Sequence, residues 1–220
     1  MKKYIKAICA VLICAIFGMI AVGADEAQMP SKTVRVALTE IQTNKMDALF
    51  STMRGCGFSA TVFVSESMLN RDSKLPNKIL AGGQQLGICI DSLWGMYEVE
   101  DMLKYLAKVQ QRIYDCVGIK VHLFTATLEI GQDLAEEYIY IAKQAGFVFV
   151  DYDTEFDCSS IGLTEKVETV NDAITGASND ITMLFEGGTY IDMSMAVLKL
   201  AETAGEQVKF RAISVADMGE

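Results

Sequence analysis

Residues 82–95, GGQQLGICIDSLWG, contain side chains that can do chemistry at close spacing. A glycine-rich turn leads into a short apolar segment that ends at Asp91, and Trp94 follows in the same loop. An exposed tryptophan beside a carboxylate suits sugar binding, because the ring can stack on the sugar and the carboxylate can accept hydroxyl hydrogen bonds. A tryptophan buried at the base of the loop fits the sequence equally well, so both interpretations stay open.

Other polar residues follow apolar segments elsewhere in the chain. Together with Asp91 and Trp94 they form a candidate cleft, whose remaining members are Glu40, Thr125, Asp151, Asp153 and Glu186. Such carboxylates can hold a sugar, coordinate a hard cation such as calcium, or supply an acid and a base for glycoside cleavage. They also suit loop caps that face water, and glycoside cleavage is the least favoured of these interpretations.

The segments between these residues alternate between strand and helix patterns. Apolar and β-branched runs predict strands at 33–39, 58–64, 85–90, 119–125, 147–153, 180–186 and 207–214. Helical spacing of apolar residues predicts helices at 44–57, 75–83, 99–118, 132–146, 163–174 and 190–205. This alternation predicts an α/β fold, a distorted (β/α) barrel of about seven parallel strands covered by helices. In such a barrel, chemistry collects at the carboxyl ends of the strands.

The N-terminus has the layout of a secretory signal peptide. Lysines precede an apolar run over residues 7–22, and small residues up to Ala24 suit a signal peptidase. We expect cleavage after Ala24, a short tether at 25–32, one domain over 33–220, and an exported protein that is secreted or held at the cell surface. A membrane anchor formed by residues 5–22 is the alternative, because the run is only slightly short for a spanning helix.

Acidic residues outnumber basic ones, and the full chain has a formal net charge of −10. Residues 1–24 hold three lysines and no acid, so 16 basic and 29 acidic residues remain after them, a net charge of −13. This balance argues against a nucleic-acid partner and against acidic membrane surfaces, because both attract positive charge. Contact with a membrane is therefore expected only through the N-terminal segment, if that segment is not cleaved.

Cysteine and histidine are the remaining side chains that can bind metal. Cys56, Cys89, Cys116 and Cys158 follow the predicted signal peptide, and their spacing contains no CxxC pair and matches no zinc module. Isolated cysteines in apolar runs are usually small buried residues, so we assign no disulfide. Histidine occurs once, at His122, where strand alternation predicts a structural role facing the helices.

Six segments in this order resemble the polysaccharide deacetylase (NodB-like) superfamily over residues 32–218. They are VRVALT, GFSATVFV, AGGQQLGICIDSL, AKQAGFVFVDYDTEFD, DITMLFEGG and VKFRAISVADM. The resemblance implies the same barrel, and in that family a divalent metal such as zinc is held by an aspartate and two histidines for removal of N-acetyl groups from glycans. It also favours Asp91 and Glu186 within the candidate cleft, because they follow strands that carry catalytic residues in the family.

The catalytic residues of that family are not matched. Its two metal-binding histidines fall on Cys89 and Leu93, and its acidic, arginine and late histidine motifs fall on residues 40–43, 125–129 and 185–186, which differ from them. Because His122 is the only histidine, no alignment can supply two imidazole ligands. The family zinc, or another divalent metal in its place, is therefore not expected as a cofactor.

The resemblance and its departures together predict a pseudoenzyme with a deacetylase-like barrel. Such a protein would bind a polysaccharide or cell-wall glycan, or act beside an active enzyme. The alternative is an active hydrolase of glycan N-acetyl groups that uses carboxylates in place of the Asp-His-His metal site.

Overall fold

The computed structural model describes residues 32–39, 41, 45–91, 99–126, 132–158 and 162–218, apart from the side chains of 132–135 and 206. The predicted signal peptide and anchor lie outside the described residues, as do Glu40, Leu93 and Trp94. Lys32–Glu220 forms one compact unit. Within the described ranges, no helix combines the length and apolar composition needed to cross a membrane.

Strands and helices alternate along this unit. The strands are β1 Lys32–Leu38, β2 Thr61–Val64, β3 Gln85–Ile90, β4 Leu123–Ala126, β5 Val148–Phe149, β6 Thr154–Asp157, β7 Ile181–Glu186 and β8 Val208–Arg211. The α-helices are α1 Met46–Gly55, α2 Glu66–Arg71, α3 Leu75–Ala81, α4 Val99–Val117, α5 Gln132–Gln144, α6 Leu163–Gly176 and α7 Tyr190–Ala204. Two 3-10 turns, Gly205–Gln207 and Val215–Met218, flank the last strand.

The strands form one parallel sheet in the order β5-β4-β3-β2-β1-β7-β6, with β8 paired to β1. One edge of β1 pairs with β7 along Val34–Leu38. Its other edge pairs with β8 over Lys32–Arg35 and with β2 at Ala37 and Leu38. The last strand therefore lies between β1 and β2 at their amino ends. This curled parallel sheet confirms the predicted distorted (β/α) barrel.

Successive residues of the central strands face two separate apolar cores. On β1, Val34, Val36 and Leu38 pack in the larger core between the sheet and the helices. The opposite strand faces build a second buried cluster inside the barrel, formed by Ala37, Phe63, Cys89, Leu123, Val150, Leu184 and Ile213. The strands β2, β3, β4 and β7 are buried on both faces and are therefore apolar almost without interruption, as the sequence pattern indicated, whereas β6 exposes Glu155 and Asp157.

The predicted strand at 147–153 is wrong in one respect, because it is two strands at opposite ends of the sheet. β5 pairs with β4, whereas β6 pairs with β7. The chain crosses from one to the other over residues 150–153. The Val150 amide donates to the Phe124 carbonyl at 2.7 Å, and the Asp153 amide donates to the Thr182 carbonyl at 2.9 Å. The described barrel accordingly has eight strands, one more than the approximate number expected.

The helix α2 was not predicted either, and it follows directly from the end of β2. The Ser65 hydroxyl accepts a hydrogen bond from the Met68 amide at 3.3 Å, which satisfies one of the free donors of the first turn. Glu66 lies in that first turn, and Met68 and Leu69 are buried against the core. The turn places Ser65, Ser67 and Arg71 beside the carboxyl end of the sheet.

The barrel interior is filled tightly where β2 and β3 meet. A Cβ atom on Gly87 would lie 2.4 Å from two ring carbons of Phe63, a separation that real side chains do not tolerate. Phe63 is fully buried and cannot move toward solvent. Glycine at position 87 is therefore required by the close approach of the Phe63 ring.

The C-terminal 3-10 turn is fixed to the barrel by an ion-pair cluster. Arg211 donates to both carboxylate oxygens of Asp217, at 2.8 and 2.5 Å, and Arg35 lies 3.8 Å from the same carboxylate. The Ser214 amide and hydroxyl also donate to Asp217, at 2.7 and 2.8 Å. The hydrogen bond from Arg211 is the main reason that the pKa of Asp217 lies well below its usual range.

We expect Gly87→Ala to destabilise the fold by about 1–3 kcal/mol, because the added methyl group overpacks the interior against Phe63. The measurement is the free energy of unfolding from a denaturant titration. Gly176→Ala is the matched control, since a Cβ atom there meets nothing within 4 Å. Equal stability of the two variants would contradict the packing argument.

We expect Asp217→Asn to lower the free energy of unfolding by about 2 kcal/mol at pH 7, because the charged hydrogen bonds to Arg211 are lost. The folded-state pKa of Asp217 is depressed, so its contribution is complete above the unfolded pKa of about 3.9 and is lost as pH falls toward the folded value. The stability difference between the parent and the variant should therefore be constant at neutral pH and shrink below about pH 4. Asp172→Asn, on the exposed surface of α6, is the control, and a pH-independent difference for Asp217→Asn would refute the explanation.

Candidate functional site at the carboxyl ends of the strands

A hydrogen-bonded group of side chains joins the carboxyl ends of β2 and β3. Asp91 directly follows β3, and its Oδ2 atom accepts a hydrogen bond of 2.5 Å from the Ser67 hydroxyl. The hydroxyls of Ser67 and Ser65 lie 2.9 Å apart. Ser65 is buried while Ser67 is exposed, so the group connects the sheet to the surface. The sequence singled out Asp91, but Ser67 came within reach only through the unpredicted helix α2.

Tyr105 of α4 holds this group in place from the helical layer. Its hydroxyl accepts from the Glu66 amide at 3.1 Å and lies 2.9 Å from the Cys89 carbonyl oxygen and 3.5 Å from Asp91 Oδ1. Burial is the main cause that raises the pKa of Tyr105 well above its usual range, with the Asp91 charge adding to the effect. The phenol is thus a neutral hydrogen-bond donor. The helical pattern of the sequence did not distinguish Tyr105 from a residue that only packs.

A cavity of about 310 Å³ opens beside this group. It is lined by Ser65, Ser67, Met68, Arg71, Cys89 and Asp91. Arg71, at the last residue of α2, donates from Nε to the Ser67 carbonyl at 3.4 Å. The wall of this cavity therefore carries hydroxyls, a carboxylate and a guanidinium, a set that can bind a polar ligand through several hydrogen bonds.

A second polar group lies at the carboxyl ends of β6 and β7. Asp157 is in register with Glu186, and Glu155 is in register with Leu184. Burial, followed by the charges of Glu155, Glu186 and Asp151, raises the pKa of Tyr152 to about 12. Glu155 and Asp157 were missed because the sequence pattern did not predict β6, and the strand pairing is what brings them beside Glu186.

The other candidate residues have separate positions. Thr125 is 1% exposed, and its hydroxyl donates to the Val150 carbonyl at 2.9 Å, inside the barrel. The Asp151 carboxylate is exposed and accepts from the Tyr152 amide at 2.9 Å. Asp153 accepts from the Thr182 amide at 2.7 Å, near the beginning of β7 and not at its carboxyl end. The structure thus brings Asp91 together with new partners, places Asp151 and Glu186 where their charges help to raise the pKa of Tyr152, and holds Asp153 at the beginning of β7.

No protein-family model and no curated protein matches the chain. Solved structures do match it. A family 4 carbohydrate esterase from Streptomyces lividans, in complex with acetate, superimposes with a TM-score of 0.66 at 16% identity, over 85% of this chain and 95% of that one. The catalytic domain of a peptidoglycan N-acetylglucosamine deacetylase from Eubacterium rectale gives 0.68 at 11% identity, over 84% and 90%. A mutant of a CE4 family pseudoenzyme gives 0.62 at 12% identity, over 86% and 68%.

The chain has the NodB-like deacetylase fold. The resemblance noted in the sequence is therefore confirmed for the fold, and it extends over nearly all of the described residues. At these identities the comparison establishes architecture alone, so the chemistry of this deacetylase-fold protein has to be argued from its own side chains.

The sequence of this protein does not supply the two imidazole ligands of the metal site that the family resemblance implies. The only histidine in the sequence, His122, precedes β4 and so lies at the amino end of that strand, about 13 Å from its carboxyl end. His122 is exposed, and its Nδ1 atom lies 2.9 Å from the Gly146 carbonyl, to which it donates. Cys89 is buried in the barrel interior. Among the described residues, no group of three His, Cys, Asp or Glu side chains is arranged to hold a metal ion.

The cysteines are not placed as reactive groups. Burial raises the pKa of the Cys158 thiol to about 12. Cys116 contacts Asn77 and the Ser73 carbonyl on the helical side of the molecule. Cys56, Cys116 and Cys158 carry free thiols in the described part of the structure.

We expect Tyr105→Phe to lower the free energy of unfolding by about 1–3 kcal/mol, because the Glu66 amide and the Cys89 carbonyl lose their partner. Tyr114→Phe, on the exposed side of the same helix, is the control and should change stability by less than about 0.5 kcal/mol. Denaturant titrations of both variants give the comparison. A Tyr105→Phe variant as stable as the control would mean that Tyr105 only packs and does not hold the site.

Proposed function

We propose that the protein is an exported, catalytically degenerate deacetylase-fold protein that binds polysaccharide or cell-wall glycan at the carboxyl ends of its strands. It would act as a glycan-binding or accessory protein in polysaccharide metabolism. It needs no zinc or other divalent metal for this role.

The position of His122 is the observation that carries the proposal. A deacetylase-type metal site needs imidazole nitrogen ligands, and the chain has one imidazole, which faces solvent at the amino end of β4. A metal that polarises an N-acetyl carbonyl would therefore lack the two histidine ligands that hold it in the family. Among the described residues, no group of three His, Cys, Asp or Glu side chains is arranged to take the place of such a site.

The retained polar groups support binding in place of catalysis. Asp91 and Ser67 present a carboxylate and a hydroxyl to a cavity of about 310 Å³, at the lower end of the usual range for ligand pockets. A cavity of this size suits one sugar residue. The hydrogen bond from Ser67 of α2 fixes the direction of the Asp91 carboxylate, so little conformational freedom would be lost when a sugar binds.

The solved structures of this fold are compatible with the same interpretation. One is described as a CE4 family pseudoenzyme mutant, and another mutant of that protein as having restored enzymatic activity. The barrel can therefore occur in a protein that is named for its lack of activity. The signal-peptide layout of residues 1–24 supports export to the place where such glycans occur.

The test incubates residues 25–220, which contain every described helix and strand, with chitooligosaccharide and with peptidoglycan, with and without added zinc. Acetate release and new reducing ends measure catalysis, and sedimentation with insoluble glycan measures binding. We expect binding without acetate release in either condition. Asp91→Ala should weaken binding about tenfold, because a hydrogen bond to a charged group is lost.

Asp172→Ala is the control for this experiment, since it removes an acid from the exposed surface of α6 and lies outside the residues that line the cavity. Metal-dependent acetate release that Asp91→Ala abolishes would support the competing interpretation, an active hydrolase of glycan N-acetyl groups. Absence of binding to every glycan would contradict the binding role itself.

A further inference from the structure

The cavity beside Asp91 contains two opposite charges that do not neutralise each other. Asp91 and Arg71 both line it, and within the described ranges no ion pair joins them. Other basic residues nearby are already paired. Lys108 and Arg112, both on α4, contact Glu66 at 2.6 and 3.8 Å. Glu66 lies in the first turn of α2, the helix that also carries Arg71.

Asp91 has capacity for a further hydrogen bond. Its Oδ2 atom is occupied by the Ser67 hydroxyl, but its Oδ1 atom meets only the Tyr105 hydroxyl, at 3.5 Å, among the described residues. The single proton of that hydroxyl is closer to the Cys89 carbonyl, at 2.9 Å between oxygen and oxygen. Oδ1 can therefore accept from a hydroxyl group of a ligand.

Arg71 makes one hydrogen bond through its Nε atom, and its two terminal nitrogens remain available to a ligand. Its Nε atom donates to the Ser67 carbonyl, one turn earlier in α2, and the side chain lines the cavity. The two terminal nitrogens make no hydrogen bond to any side chain in the described part of the chain. They form the planar pair of donors that matches a carboxylate in bidentate geometry.

We propose that this cavity binds a sugar residue that carries a carboxylate, with Arg71 holding the carboxylate and Asp91 and Ser67 holding sugar hydroxyls. The inference rests on the proposed glycan-binding function and specifies the sugar that occupies the site. A carboxylate on the ligand meets the guanidinium, and the hydroxyl face of the same ring meets the carboxylate of Asp91. The two poles of the cavity thus select the orientation of the ring as well as its charge.

Two other kinds of sugar fit these poles less well. A neutral sugar satisfies Asp91 but leaves the guanidinium without a charged partner. A sugar with a free amine also satisfies Asp91, but its ammonium group would lie in the same small cavity as the guanidinium of Arg71 and be repelled by it. The carboxylate-bearing sugar is the one that complements both walls.

The experiment measures dissociation constants of the full chain by calorimetry for three trisaccharides of equal length. Trigalacturonate carries carboxylates, chitotriose is neutral, and the fully de-N-acetylated trimer of chitotriose carries amines. Each is titrated at low and at high salt into the parent protein and into Arg71→Ala, Arg71→Lys and Lys74→Ala. Lys74→Ala is the matched control, because it removes the same charge three residues away and lies outside the residues that line the cavity.

We expect trigalacturonate to bind most tightly and Arg71→Ala to weaken its binding about tenfold while changing chitotriose binding less than about twofold. Arg71→Lys should restore only part of the affinity, because an ammonium lacks the bidentate geometry. Lys74→Ala should have no effect beyond that of a small salt-dependent change.

The other outcomes overturn the inference in distinguishable ways. Equal binding of the neutral and acidic trisaccharides, unaffected by Arg71→Ala, would reject the carboxylate site and leave the glycan-binding function standing. Tightest binding of the amine-bearing trimer would reject it in favour of a site dominated by Asp91. Equal losses in Arg71→Ala and Lys74→Ala would reduce the effect to overall charge. Absence of binding to all three, together with absence of binding to insoluble glycan, would reject the proposed function as well.

Discussion

The ring of Phe63 packs against the backbone at Gly87 and fills the inside of the barrel. The positions of both polar regions of the molecule depend on this packing. The interior cluster around Phe63 lies between the interior side chains at the amino ends of the strands and those at the carboxyl ends. Along β1 the interior face carries Arg35 before Ala37, and along β3 it carries Cys89 before Asp91. Charged groups consequently lie at the two ends of this apolar interior, where Arg35 is paired with Asp180 and Asp217 and Asp91 is hydrogen-bonded to Ser67, because burial of a charge without a partner costs much free energy.

The same packing explains why β3 is stable with Cys89 at the position where the family has a metal-binding histidine. Cys89 occupies a position at which the family resemblance places a histidine, and it lies in the apolar interior, where a small, weakly polar side chain is well suited. Its carbonyl, not its thiol, contributes to the site by accepting from Tyr105. Because His122 is at the other end of β4, the site also lacks the one side chain whose ordinary pKa lies between about 5 and 8. Mild acidification therefore has no imidazole to act on there.

Local sequence patterns predicted the elements that bury one continuous face, and they failed where a contact between distant residues decides the structure. The apolar stripe of α4 gave its bounds within one residue, because the periodicity of a long amphipathic helix is a local property. Val150 is as apolar as a strand residue, but it belongs to a crossing between two strands whose partners are far apart in sequence. Tyr105 looked like an ordinary helical position and Arg71 lay in no predicted element, and only the packing of α2 and α4 on the sheet places them beside Asp91. The candidate carboxylates could be named in advance, whereas their grouping depended on which strand ends are neighbours.

The arrangement of β8 beside β1 has a consequence for the order in which the molecule can assemble. Lys32, in the first strand, pairs with Val208, in the last, and the other edge of β1 pairs with β7. Both partners are near the C-terminus, so β1, the central strand of the sheet, cannot pair with all of its neighbours until almost the entire chain is present. Such long-range pairing slows folding and raises the entropy that must be lost before native contacts form. During synthesis, a polypeptide with this connectivity remains in an unclosed state until the residues from Ile181 onward, which form β7 and β8, are present.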